Sequence, residues 1–144
     1  MIALDTNVLL RFAKTTDPQF SVVARAISKL ESTGEELCIF PQNVYEFWST
    51  ATRPTSANGF GWSVPTARRV RDGLKVSFLL LPDLPGLFDE WESLVVTYQC
   101  HGRVSYDARI VAAMNTHALT RLLTFNVPDF ARYPGLTVLD PAMV

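Results

Sequence analysis

Short apolar runs alternate with segments of helical periodicity along most of this chain. Each run ends at a polar or turn residue after a few positions, as buried strands do. The runs span residues 1–4, 37–40, 76–81, 121–125 and 136–139. Between them, apolar residues recur at spacings of three and four, which place them on one face of a helix. The alternation predicts a parallel sheet covered by helices rather than a bundle or a sandwich.

The first apolar run ends abruptly in three polar residues, Asp5, Thr6 and Asn7, before the helical pattern begins at Val8. Asp5 is therefore expected at the carboxyl end of a strand, where open α/β sheets place their ligands. An alternative is that these side chains simply cap the following helix by accepting from its free amides. Taken alone the stretch favours the cap, and only distant partners raise the functional interpretation above it.

Asp107 is the second acid of interest, because a helical projection places it on the same side as Ile110, Val111 and Met114. A buried carboxylate is costly unless a metal ion, a set of donors or the edge of a site compensates it. The alternative is an acid stabilised by the positive end of its own helix, by about 0.3–1 kcal/mol. For Asp107 we favour a functional role.

Four further positions are ambiguous from the pattern alone. Thr124 and Asn126 lie just past a predicted strand, so Asn126 and Asp5 are expected to meet at one edge of a parallel sheet. Asp129, between Pro128 and Phe130, resembles an ordinary loop acid. Glu46 falls almost opposite the apolar stripe of its helix, which predicts a solvated side chain.

Oxygen ligands without histidine or cysteine suit Mg²⁺ or Mn²⁺ better than zinc. The chain has no Gly-rich phosphate loop and no GxSxG nucleophile, and His101 and His117 show no ligand spacing. Haloacid dehalogenase-like phosphatases need a second aspartate where Asn7 stands. The remaining chemistry is divalent-metal hydrolysis at phosphate.

The size and charge of the chain limit its organisation and partners. With 144 residues, 48% of them hydrophobic, we expect one domain over residues 1–144. Cys38 and Cys100 lack CxxC spacing, and no leader or membrane-spanning run is visible, so we expect a cytoplasmic protein that contacts no membrane. A net charge of -1 means that any polyanion must be held by local patches or bound metal.

Two segments are candidates for contact with phosphates or another partner. Arg68, Arg71 and Lys75 form a basic stripe at helical spacing, although such a stripe is most often just a solvated face. The loop over residues 53–63 carries Phe60 and Trp62, which either contact a partner or fold back over the core.

Several motifs occur in a fixed order from end to end. The chain opens with IALDTNVLL at 2–10, carries Glu46 after the second run, and continues with YDARIVAA at 106–113 and LTFNVPDF at 123–130 before GLTVLDP at 135–141. Together they resemble the PIN-domain ribonucleases, and more narrowly the VapC toxins of bacterial toxin–antitoxin pairs. The resemblance implies a three-layer α/β/α domain with a mainly parallel sheet of four or five strands. It also implies an endoribonuclease that uses Mg²⁺, or Mn²⁺ in its place, to cut single-stranded or loop RNA.

Carried over position by position, the resemblance makes Asp5, Glu46 and Asp107 the three main metal-binding acids, which overrides the solvated interpretation of Glu46. Many relatives have Asp where this chain has Asn126, and others pair that Asn with an Asp three residues later, as in Asn126 and Asp129 here. The number of metal ions is thus left open between one and two. The supporting positions implied around these acids are Thr6, Asn7, Thr124 and Asp129.

The resemblance further implies a homodimer and a small VapB-like antitoxin that occludes the site. The segments Val22–Leu30 and Phe47–Ala51 are candidates for that interface, although core is their default assignment. The alternative function is a PIN-like RNA- or protein-binding module without catalysis, for which the Asn126 departure is the only support.

Overall fold

Five short parallel strands form the centre of the computed structural model, which describes all residues from Met1 to Val144. The strands are β1 (Ile2–Leu4), β2 (Leu37–Ile39), β3 (Leu79–Leu80), β4 (Arg121–Leu123) and β5 (Thr137–Leu139). Their order across the sheet is β3-β2-β1-β4-β5, and every neighbouring pair is parallel. The predicted α/β fold with a parallel sheet is confirmed, and β1 occupies its middle.

Helices cover both faces of the sheet. They are α1 (Thr6–Ala13), α2 (Phe20–Ser32), α3 (Pro41–Thr52), α4 (Val64–Ser77), α5 (Leu87–Thr97), α6 (Val104–Thr116) and α7 (Val127–Phe130). Alternate residues of β1 point to opposite faces: Ile2 and Leu4 join the core under the first four helices, and Ala3 joins the core under α5 and α6. This gives three layers, and each layer boundary has its own apolar core.

The third strand is much shorter than predicted. The apolar run from Val76 to Leu81 was expected to be a strand, but α4 continues through Ser77 and only Leu79 and Leu80 pair with β2. Val76 is apolar yet 88% exposed, so hydrophobicity gave no sign of where the helix ends. Helix α5 begins at Leu87, after Pro85 and a left-handed Gly86.

The two segments considered for a dimer interface lie largely in the core. Val23, Ala26 and Ile27 of α2 are buried, as are Phe47 and Ala51 of α3. Their apolar faces are therefore already used in holding the helices against the sheet. None of the helices combines the length and hydrophobicity that crossing a bilayer requires.

Candidate functional site

A pocket of about 380 Å³ opens where the central strands end and the following helices begin. Most of its lining is polar. Six of the residues singled out in the sequence lie around it, namely Asp5, Thr6, Asn7, Glu46, Asp107 and Asn126. The expected convergence of Asp5 and Asn126 follows from the parallel pairing of β1 with β4, which brings both strand ends to one edge.

Asp5 follows β1 and is fixed by residues from both sides of the junction. Its backbone N–H donates to the carbonyl of Leu123 in β4 (3.0 Å). Its Oδ2 accepts from Asn7 Nδ2 (2.7 Å) and Thr124 Oγ1 (2.5 Å). Although Asp5 occupies the N-cap position of α1, its side chain makes no capping hydrogen bond. Both side-chain hydrogen bonds thus reach the same oxygen, and Oδ1 has no side-chain partner.

Burial raises the pKa of Asp5 above its ordinary value, because only 7% of the residue is exposed and the charged form is poorly solvated. The hydrogen bond from Thr124 opposes this shift, and repulsion from Glu46 adds to it. An added positive charge would therefore favour the ionised form.

Glu46 is half-buried on α3, and both of its oxygens accept hydrogen bonds. Thr6 Oγ1 donates to Oε2 (2.5 Å), and Gln42 Nε2 donates to Oε1 (2.8 Å). The solvated interpretation from the helical projection is wrong for this residue. The face of α3 opposite the main core packs against the beginning of α1, a contact that a projection of one isolated helix cannot reveal.

Two polar residues beside Glu46 were missed in the sequence. Asn43 is fully buried, accepts from the Phe40 N–H (2.7 Å) and donates to the Leu4 carbonyl (3.2 Å) and Thr6 Oγ1 (3.1 Å). It therefore fastens the start of α3 to the end of β1. The available signal was its position just after a strand, where Thr6 also stands.

Gln42, the other missed residue, connects α3 to α6. Its Nε2 donates to the Tyr106 carbonyl (2.9 Å) as well as to Glu46, and its Oε1 accepts from Arg109 Nη1 (3.1 Å). Arg109 in turn pairs with Asp83 (2.7 Å). Because an arginine can only donate, the amide of Gln42 must turn its NH₂ group towards Glu46.

Asp107 lies in the first turn of α6 and makes no hydrogen bond or ion pair within the protein. Burial raises its pKa to about 6, and repulsion from Asp5, Asp129 and Glu46 adds to the shift while Arg132 opposes it. The partly buried position expected from the helical projection is found. This carboxylate is the least compensated charge in the pocket.

The β4 side of the pocket is organised by Thr124, which is completely buried. Its Oγ1 donates to Asp5 and accepts from Asn7 Nδ2 (3.1 Å) and the Asn126 N–H (3.0 Å). Asn126 is exposed on the rim. Asp129 lies outside the lining, although it is near enough to raise the pKa of Asp107.

The basic stripe of α4 lies outside the pocket. Arg68 and Arg71 pair with Asp72 of their own helix, Arg71 also stacks over Trp48 (5.6 Å), and Lys75 is exposed. The cations that do line the pocket are Arg53 and Arg103.

The aromatic residues of the 53–63 loop fold back on the core. Phe60 and Trp62 pack against each other with their rings tilted by 54° (4.9 Å between ring centroids), and Trp62 meets the buried Phe47 edge-on (6.4 Å between ring centroids). Of the two alternatives for Phe60 and Trp62, folding back over the core therefore describes both rings better than contact with a partner.

The donor set fits a hard, partly hydrated cation. No three acidic, histidine or cysteine side chains come close enough to hold an ion by themselves. Magnesium commonly keeps several waters and binds through one or two carboxylates, which this spacing allows. The donors are oxygens only, and the raised pKa values of Asp5 and Asp107 show negative charge that a cation would offset.

Comparison with known proteins gives one family and a set of similar folds. A family model described as PIN domain matches residues 2–136. VapBC2 from Rickettsia felis, bound to a promoter DNA fragment, is 14% identical, with 97% of this chain and 98% of that chain covered and a TM-score of 0.72. A toxin–antitoxin complex from Klebsiella pneumoniae is 23% identical over 100% of both chains, with a TM-score of 0.67.

VapC20 from Mycobacterium tuberculosis, described as a sarcin-ricin loop cleaving toxin, is 14% identical. The match covers 91% of this chain and 94% of that chain, with a TM-score of 0.67. At these identities the structures show likeness of fold alone. No curated protein sequence matches the chain significantly.

Proposed function

The chain belongs to the PIN domain family, and from that premise we propose that it is a metal-dependent endoribonuclease acting on single-stranded or loop RNA. The observation that carries the proposal is the pocket at the carboxyl ends of the central strands. There, Asp5 and Asp107 are both destabilised as anions, and Asp107 has no partner in the protein. Such a site is suited to a cation and to the phosphate that accompanies it.

Asp5, Glu46 and Asp107, with the amide oxygen of Asn126, would hold Mg²⁺ or Mn²⁺. When bound, the ion would neutralise charge on the phosphoryl oxygens and lower the pKa of a coordinated water. Thr124 and Asn7 restrain Asp5 through side-chain hydrogen bonds to Oδ2, and no side chain contacts Oδ1. Glu46 is restrained through both of its oxygens, because Thr6 donates to Oε2 and Gln42 donates to Oε1. Asp5 and Glu46 are thereby oriented before a ligand arrives, which lowers the cost of binding.

Within this class, we propose the role of a VapC-type toxin. Similar folds occur in structures described as VapBC2 and as a toxin–antitoxin complex, and one similar protein is described as cleaving the sarcin-ricin loop. The proposal includes a VapB-like antitoxin as partner and a homodimer. Since the apolar faces of the segments first considered for the dimer pack in the core, its interface is expected on other surfaces.

The test is incubation of the purified protein with mixed cellular RNA and Mg²⁺ or Mn²⁺, alongside EDTA and Asp5→Asn controls. Cleavage that requires the metal and is lost in Asp5→Asn supports the proposal. Cleavage unaffected by both controls contradicts it. RNA binding without any cleavage would favour the alternative of a non-catalytic binding module.

A further inference from the structure

The pocket carries more negative charge than its visible partners offset. Three carboxylates surround it, and a nucleic-acid substrate would bring more negative charge into the same space. The basic stripe of α4 does not line the pocket, and two of its arginines already pair with Asp72. A basic side chain that contacts the substrate at this pocket must therefore come from another part of the chain.

Arg53 lines the pocket and is almost unused by the protein. No carboxylate lies within ion-pair distance of it, whereas Arg71, Arg109 and Arg121 each pair with an acid. Its one hydrogen bond is a long contact from a terminal nitrogen to the Asn58 carbonyl (3.3 Å). Its Nε is buried without any partner. A buried Nε cannot reach a ligand, but the terminal N–H groups of the guanidinium make only that one long contact, so most of them are left for a ligand.

The backbone of Arg53 is nevertheless firmly placed. Its N–H donates to the Ser49 carbonyl (3.1 Å) at the end of α3, and its carbonyl accepts from the Gly61 N–H (2.9 Å). The loop is so close that a Cβ on Gly59 would lie 1.9 Å from the Arg53 carbonyl oxygen. An arginine whose backbone is held in place and whose guanidinium has no acidic partner is suited to binding an anion. Arg103, the other lining cation, is exposed at the N-cap position of α6, where its backbone makes one hydrogen bond, from the Tyr106 N–H to its carbonyl (3.0 Å).

We propose that Arg53 binds a backbone phosphate of the RNA beside the acidic pocket, as the main phosphate-binding residue of the site. This inference rests on the proposed ribonuclease function and assigns its substrate contact. The planar guanidinium can donate two parallel hydrogen bonds to the non-bridging oxygens of one phosphate. Because the contact exists before reaction, its loss should weaken substrate binding and raise KM more than it lowers kcat.

The direct test is binding of a fluorescent single-stranded oligoribonucleotide in the Asp107→Asn background, with Mg²⁺ present, over a range of salt concentrations. Arg53→Gln should weaken binding roughly tenfold, and the slope of log K against log salt should become shallower by about 0.7, the value for one phosphate contact on a single strand. Arg53→Lys should keep the salt slope and recover part of the affinity, because lysine retains the positive charge but cannot donate two parallel hydrogen bonds to one phosphate. Arg25→Gln on α2, an exposed arginine outside the pocket, is the matched control.

The outcomes separate this assignment from the proposed function. An Arg53→Gln protein with unchanged affinity and salt slope overturns the assignment, even if the wild type cleaves RNA. If the wild type cleaves no RNA but Arg53→Gln loses the contact, the ribonuclease proposal fails and the phosphate assignment stands. Equal losses of affinity in Arg53→Gln and Arg25→Gln would show that Arg53 acts only through the general surface charge, which would contradict the proposal. Circular dichroism of each variant verifies that it is folded.

Discussion

Asp5 and Asp107 lie in one pocket but have opposite surroundings. Asp5 accepts hydrogen bonds from Thr124 and Asn7, whereas Asp107 accepts none. Burial disfavours both anions, but only Asp5 has donors that partly offset it. Without a bound cation, the ionised form of Asp107 therefore destabilises the folded state. Its raised pKa sets the pH range over which this happens.

The cost of Asp107 should appear as a pH-dependent difference between the wild type and Asp107→Asn in EDTA. The pKa of Asp107 rises from 3.8 to about 6 on folding, so its favourable contribution is complete below pH 3.8 and lost as the pH rises through 6. At pH 7, Asp107→Asn should therefore be the more stable protein, by about 1 kcal/mol, because solvent screening of the partly exposed carboxylate reduces what the full pKa shift would give. Urea unfolding between pH 4 and 8 measures the difference, and a difference independent of pH would contradict the shifted pKa.

Thr124 should matter to stability well beyond its size. Thr124→Val keeps the shape but removes the donor to Asp5 and the acceptor for Asn7 and the Asn126 N–H. We expect a loss of about 2 kcal/mol in the free energy of unfolding at pH 7, since a hydrogen bond to a charged group is lost in a buried place. Thr116→Val, whose hydroxyl bonds only within its own helix, is the control and should change little. Equal effects of the two substitutions in chemical denaturation would count against the role given to Thr124.

At the scale of helices and strands, the sequence predicted the features that depend on strand pattern and missed those that depend on how helices meet. Asp5, Thr124 and Asn126 come together because parallel strands end at one edge, a consequence of topology alone. Gln42 and Asn43 were missed because a helical projection assumes one buried face. The start of α3 also packs against the end of β1 and against α6, and these contacts join residues distant in sequence.

The loop after α3 depends on a glycine with no room for a side chain. Gly59→Ala would place a methyl group against the Arg53 carbonyl, so we expect a loss of about 2 kcal/mol or more. Gly73→Ala in α4 is the matched control, because its added methyl group meets nothing within 4 Å. That change should stabilise the protein by about 0.5–1 kcal/mol through helix propensity. Thermal unfolding compares the two, and a harmless Gly59→Ala would show that the loop can move away.

Gln42 and Arg109 should act as one unit in joining α3 to α6. A double-mutant cycle of Gln42→Leu and Arg109→Leu should give a coupling free energy of about 1 kcal/mol, because the two side chains share a hydrogen bond. The control pair is Gln42→Leu with Arg121→Leu, since Arg121 pairs with Glu35 at the opposite end of the sheet. Those two changes should be additive within about 0.5 kcal/mol. Additivity in both cycles, measured by urea unfolding, would show that Gln42 and Arg109 are not energetically coupled.

For the whole molecule, the arrangement concentrates negative charge at one sheet edge while the net charge of the chain stays at -1. A cation that binds this edge in the folded state alone stabilises that state, by about 2.7 kcal/mol at a hundred times its dissociation constant. The architecture could be predicted from the alternation of strands and helices. The depth of the pocket and the unpaired Arg53 could not, because both depend on how the loop after α3 closes.

We propose that Asp5, Glu46 and Asp107 form a divalent-cation site, and calorimetric titration of the purified protein with Mn²⁺ measures whether they do. We predict saturable binding in the wild type and in Asp89→Asn, which changes an exposed acid on α5 outside the pocket. Binding should weaken at least about tenfold in Asp5→Asn and in Asp107→Asn, since each change removes a charged oxygen ligand. Mn²⁺ affinity that is unchanged in both pocket variants, or absent from the wild type, would contradict the account.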